Sequence, residues 1–354
     1  MEKRKANLEL IRIVSMGMIV VLHYLSKGEL LVEDLSNGSG IDYFYWLLEA
    51  CSIVAVNLFI ILSGYLLIDK EFRFSRILEL WLQILWYSLL IPIVLLLIGT
   101  ISLEELNIYK MLPYVFPIMT EHYWFLSTYM MLLLCMPFLN SGMKQLPKKQ
   151  VQIILIVLLL IFSVSKSIIP FSLVMDGYGY GFEWMMCVYL VGAYIKSYGI
   201  SYFSSKRKSL YTYVFGIYFI MVLFLCFTNY HMEIQVIYAW RKSVFHYNHI
   251  LNLVASISLF MYFLHCKIEK RWLKEGIRRI APYVLGVYLL HEHIEIRYEW
   301  HKWLGVCKEY SFLVRVWNLM LCIVVLFIMG VTLEYIRIQV FRVGKSLYKG
   351  KGAR

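Results

Sequence analysis

Two residues in the first apolar run could do chemistry together. Arg12 and His23 lie in NLELIRIVSMGMIVVLHY, residues 7–24, a stretch that reads as a helix crossing a membrane. An ionisable side chain inside such a helix costs roughly 2.5–3.5 kcal/mol on insertion scales and is by default a candidate for function. Eleven positions at about 100° each bring the two residues to within about 20° of one helical face, about 16 Å apart along the axis. That face offers a permanent cation at one depth and a titratable base at another. A plainer reading is open too: Arg12 lies close to Lys3, Arg4 and Lys5 and could snorkel to the interface, and His23 could be a hydrogen-bonded residue of a helix bundle.

The elements that must position these residues are helices in lipid. Sixty per cent of the chain is hydrophobic and only 16% charged, against about a quarter charged in soluble domains. Mean hydropathy is +0.66. The formal charge of +12 could suggest nucleic acid as a partner, but the basic residues fall in short connections between apolar runs, where they set membrane orientation. Nucleic acid is therefore not an expected partner. The seven cysteines form no C-x-x-C pair, and Cys51, Cys187, Cys226 and Cys322 sit inside apolar runs as packing residues. The basic start and apolar core of the N-terminus mimic a signal peptide, but no small-residue cleavage pattern follows, so a retained first span is expected.

Ten spans are expected, near residues 8–25, 46–68, 77–98, 121–139, 151–169, 182–198, 210–228, 249–266, 281–298 and 312–335. Polar residues interrupt the first and ninth. Lys and Arg gather before the first span and after each even-numbered one: Lys70, Arg73 and Arg76, then Lys144, Lys148 and Lys149, then Lys206–Lys208, then Lys267–Arg279. The tail adds Arg342, Lys345, Lys349, Lys351 and Arg354, and the opposite connections carry few. The expected fold is thus all-α, a polytopic bundle of about ten transmembrane helices with both termini cytoplasmic. The membrane domain is expected over 1–336, with a short basic tail, 337–354, along the anionic cytoplasmic leaflet. No soluble domain and no inverted repeat is expected.

Further groups could carry chemistry. Arg73 and Arg76 share a face at a helix start, and two guanidinium forks suit phosphate oxygens, although ordinary positive-inside charge would look the same. Glu79 could neutralise Arg76 or hold it for a ligand. Asn57 and Ser63, polar residues in the second span, suit interhelical hydrogen bonds. His122 and Trp124 open the fourth span on the outer side, as an aromatic belt or as a platform for sugar rings. His291 and His293 form an H-x-H pair, but residues two apart on a helix do not face each other, so no metal is expected.

Taken together, these residues resemble the membrane-bound acyltransferase 3 family. The resemblance rests on Arg12 and His23 in the first span, RFSR at 73–76, VNLFIILSGYLL at 56–67, and HYWFL at 122–126 followed by PFLN at 137–140. YLVGAYI at 189–195 and GVYLLH at 286–291 extend it, so it covers nearly the whole chain in order. It implies transfer of an acyl group, commonly acetyl, from cytoplasmic acyl-CoA to a hydroxyl of a cell-surface or lipid-linked glycan. His23 would act as general base or acyl acceptor, and Arg12, Arg73 and Arg76 would hold the donor's phosphates. Glu79, Asn57, Ser63, His122, Trp124 and His291 would support them. A carboxylate orienting His23 is expected, though the sequence does not name it.

Acyl-CoA enters as a substrate, and no bound cofactor or metal is expected. The expected partners are membrane lipids, the acyl-CoA, a polysaccharide or lipid-linked glycan, and proteins of polysaccharide assembly. Many family members carry an extracytoplasmic esterase-like domain; this chain is expected to act through its membrane part or with a partner. The expected location is the bacterial cytoplasmic membrane. A transporter or flippase of a glycan precursor would use the same polar path, and a membrane sensor with lost activity is a further rival. Retention of His23 with the arginines favours the enzyme.

Overall fold

In the computed structural model, which describes residues 5–105, 107–171, 177–229 and 233–351, the first helix lies at the junction of two buried clusters. Helix α1 (Ala6–Lys27) gives Leu8, Ile11 and Leu22 to one cluster and Met16, Ile19, Val20, Tyr24 and Leu25 to the other. A helix apolar on more than one face must be covered on more than one face.

The first cluster is built on α3 (Ala55–Leu67), which continues α2 (Gly40–Ser52) after a short turn, and on two later helices, α9 (Phe182–Tyr198) and α12 (Ile250–Leu264). Gly64 and Gly192 let α3 and α9 touch backbone to backbone. A Cβ at Gly64 would lie 2.0 Å from the Tyr189 carbonyl oxygen, and one at Gly192 2.1 Å from that of Ile61. Small residues serve this purpose in membrane helices. The second cluster is built from α4 (Phe74–Leu97) and two C-terminal helices, α14 (Leu285–His291) and α16 (Phe312–Lys351).

Around this frame lie α5 (Ile108–Val115), α6 (Trp124–Gln145) and α7 (Lys148–Leu159), the last running through a π-helical turn at Leu160–Val164 into α8 (Ser165–Ile168). Helix α10 (Lys206–Asn229) packs on α12, and the short α11 (Gln235–Ser243), α13 (Arg271–Ile280) and α15 (Trp300–Trp303) complete the chain. No strand occurs among the described residues.

The protein is all-helical. Seven helical stretches among the described residues are long and apolar enough to cross a membrane: Ala6–Lys27, Gly40–Leu67, Phe74–Leu97, Trp124–Gln145, Lys148–Ile168, Lys206–Asn229 and Phe312–Val343. Three expected spans fall outside this set. α9 has 17 residues and α12 has 15. The ninth, expected as one helix over 281–298, is a 3-10 turn at Ala281–Tyr283, the seven-residue α14, and then turns. Seven residues rise only about 10 Å. The cause is compositional: His291, Glu292, His293, Glu295, Arg297 and Glu299 follow the apolar GVYLL, and a lipid-crossing helix would have to bury them all. At the other end, α16 runs unbroken past Ile336, so the helix itself carries Arg337 and Arg342 beyond the expected end of the membrane part.

Candidate active site

The site begins where α14 stops. Close contact with α16 fixes the position of that stop. A Cβ at Gly286 would lie 2.5 Å from the Gly330 carbonyl oxygen, and one at Gly330 2.4 Å from the Val287 Cα. Tyr123 adds a buried hydrogen bond, its hydroxyl donating to the Leu289 carbonyl at 2.8 Å. His291 and Glu292 are thereby held against the C-terminal end of α1.

There His23 Nδ1 lies 2.9 Å from His291 Nε2 and 3.2 Å from Glu292 Oε1. His291 Nδ1 lies 2.6 Å from the Val287 carbonyl oxygen. A carbonyl only accepts, so His291 carries its proton on Nδ1 and offers the Nε2 lone pair. His23 Nδ1 therefore donates toward His291 and Glu292, and the lone pair of His23 lies on Nε2, which these bonds leave unengaged. Tautomers are assigned through the network in this way. Lys27, the last residue of α1, places its ammonium on the same Glu292 oxygen. Glu292 is thus a buried carboxylate with a base on one side and a cation on the other.

The arrangement has the form of a base and the carboxylate that orients it. The same three residues, His23, His291 and Glu292, bring potential ligand atoms within 4.8 Å of one another and so could by type hold a metal ion. Their contacts fit a proton relay better. The two imidazoles bond each other directly, and the Lys27 ammonium already supplies the cation that Glu292 needs.

One turn inward from His23 and His291, Ile19 and Tyr288 line a cavity of about 320 Å³. Its walls are mainly apolar, with Met16, Phe59, Leu62, Phe125 and Leu285, and Ser63 faces it. Arg12 and Arg337 stand at its other end. A second cavity, about 480 Å³, is lined by Arg76, Glu79, Gln83, Arg337 and Arg342. The two share Leu80, Gln83, Arg337 and Ile338.

The expected site residues thus divide into groups. His23 and His291 meet. Arg12 and Ser63 line the first cavity, and Arg76 and Glu79 the second. Arg73 lines an adjoining groove with Arg76, Phe72 and Tyr129. Asn57 joins helices instead, accepting from Trp184 Nε1 at 3.0 Å and donating to the Tyr247 carbonyl at 2.8 Å. Trp124 stacks on Tyr247 and packs against Tyr180 and the edge-on Phe125. His122 holds the turn after α14: its Nε2 accepts from the Ile294 N–H at 3.3 Å, its Nδ1 bonds the Pro113 carbonyl at 3.1 Å, and Arg297 donates to the His122 carbonyl. His293 points to His122 and the Ser88 carbonyl, away from the His23 group.

Glu292, Lys27 and Arg337 are the site residues that sequence reasoning missed. Their signals were present: six titratable residues within nine positions beside an apolar run, and an acidic-basic pair at i,i+3 in the last span.

A multi-span helical protein with a buried base–carboxylate pair above a cavity edged by arginines is a membrane protein built for group transfer. A family model described as an acyltransferase domain matches residues 5–336, and the chain belongs to that family, acyltransferase 3. Neither the curated proteins nor the solved structures provide a match.

Proposed function

We propose that this membrane acyltransferase moves an acyl group, acetyl in the first instance, from cytoplasmic acyl-CoA to a hydroxyl of an extracytoplasmic or lipid-linked polysaccharide. In this reading α9, α12 and the broken segment at 281–298 complete ten crossings, both termini face the cytoplasm, and the membrane is the bacterial cytoplasmic one. The observation that supports it most is the alignment along α1. Arginines border one end of the cavity system, and an oriented imidazole lies one turn past the other.

The donor's phosphates would rest among Arg12, Arg73 and Arg76, with its slender arm in the apolar cavity and its thioester near His23. His23 Nε2 would take the proton from the acceptor hydroxyl as that oxygen attacks the thioester carbonyl. The carbon–oxygen bond forms, the carbon–sulfur bond breaks, and the thiolate recovers the proton from the imidazolium. Glu292 would stabilise the imidazolium in between, and transfer through an acyl-His23 intermediate would use the same groups.

The test is mass spectrometry of the host's surface glycans with His23→Ala at wild-type protein level. Loss of the acyl mark is expected, and an unchanged mark overturns the mechanism. A glycan transporter would lose the glycan itself, not its acyl group.

A further inference from the structure

Among the described residues, Arg337 is the arginine that lines both cavities, and nothing in the sequence motifs assigns it. Its side chain is only 13% exposed, and Glu334, three positions earlier on α16, is 2% exposed. The two form a fork: Nε donates to Glu334 Oε2 at 3.0 Å and Nη2 to Oε1 at 2.7 Å. Phe341 supports the guanidinium from another side, 5.2 Å from its ring centre.

A buried ion pair is costly to assemble, because desolvation offsets much of its Coulomb gain. Breaking it by removing one partner is worse. Such a pair gives little stability for its cost, so its placement calls for a use. Guanidinium has five N–H donors in a fixed plane, and Glu334 takes two. Nη1 takes no part in that fork, and Arg337 lines both cavities where they meet.

Charge changes across that wall. On the Arg76 side the lining holds Arg76, Arg337 and Arg342 against Glu79, a net cationic chamber. On the His23 side the lining is apolar apart from Arg12, Glu334, Arg337, Gln83, Ser63 and the tyrosines. Anionic oxygens are favoured in the first, whereas in the second they meet cations only where Arg12 and Arg337 stand, the rest of its wall being mainly apolar.

We propose that Arg337 binds a phosphate of the donor at the throat between the two cavities, with Glu334 as the positioning residue that fixes the guanidinium. Phosphates stop at the end where Arg12 and Arg337 stand, and only the uncharged arm passes on toward His23. The assignment rests on the acyl-CoA reading above. It adds a donor ligand from α16 to Arg12 of α1 and to Arg73 and Arg76 at the start of α4.

The test is calorimetric titration of the detergent-solubilised full chain with coenzyme A and, separately, with pantetheine, which has the arm without the phosphates. Arg337→Gln should weaken coenzyme A binding by 10-fold or more and leave pantetheine binding within twofold. Arg337→Lys should recover part of the loss. Because Arg337→Gln leaves Glu334 buried without its partner, the double variant Glu334→Gln/Arg337→Gln serves as the folding control and should show the same selectivity. Equal loss of both ligands, or unchanged coenzyme A affinity, overturns the role of Arg337 alone. A wild-type chain that binds neither ligand removes the acyl-CoA reading and this inference together.

Discussion

His23 bonds two polar neighbours, His291 and Glu292, and the second has a predictable consequence of substitution. Glu292 carries the charge that would balance an imidazolium, so Glu292→Gln keeps the shape and removes the compensation. Acylation should fall by roughly 10²- to 10⁴-fold, the usual range for general-base catalysis and its orienting carboxylate, with donor affinity unchanged. Rates with labelled acetyl-CoA in native membranes, set beside coenzyme A titration, would separate the two effects. Asn57 makes the opposite case. Asn57→Leu strands the Trp184 indole N–H and the Tyr247 carbonyl. It should cost about 1–3 kcal/mol of stability. Thermal unfolding in detergent should register that loss, while specific activity per folded molecule stays near wild type. His23, Arg12, Arg73 and Arg76 stood out as candidate residues from type and spacing, and His291 through the family resemblance. Glu292 did not, because a continuous helix over 281–298 points His291, Glu292 and His293 in three directions. The partner of His23 becomes visible only once α14 is known to end at His291 and the chain to turn.

At the scale of elements, the site depends on how closely α14 approaches α16. Gly330→Val would place its side chain in the Val287 backbone, with no flexible neighbour to yield. Overpacking of this kind costs about 1–3 kcal/mol, and it would shift α14 away from α1. We expect Gly330→Val to lose acylation while coenzyme A binding persists, because the arginine-lined cavity draws on α4 and the far end of α16. Retained acylation would show that the dyad does not depend on this crossing. The apolar runs were readable as helices because length and hydropathy decide lipid crossing. The turn between α2 and α3, the π-helical turn before α8 and the short α14 were not, since tertiary contacts and local polarity, not hydropathy, set them.

For the whole molecule, the charge alternation of the connections makes a testable map. Cysteine labelling in a background without the seven native cysteines should place positions 70, 207 and 274 on the cytoplasmic side. Positions 33, 242 and 308 should face the opposite side. A membrane-impermeant reagent applied to intact cells would check this, and labelling of 70 and 207 from opposite sides would dismantle the ten-span reading. Orientation can be inferred from sequence because lysine and arginine counts carry it directly. The path through the bundle cannot, because it is formed by contacts between helices far apart in the chain.

His23 and His291 are 268 residues apart in sequence, yet their rings share one hydrogen bond. Ribosomes release the N-terminal member long before its counterpart exists. Under the proposed mechanism the nascent chain would therefore stay inert through most of its synthesis, and prematurely terminated chains would lack the pair and leave the cell's thioester pool untouched.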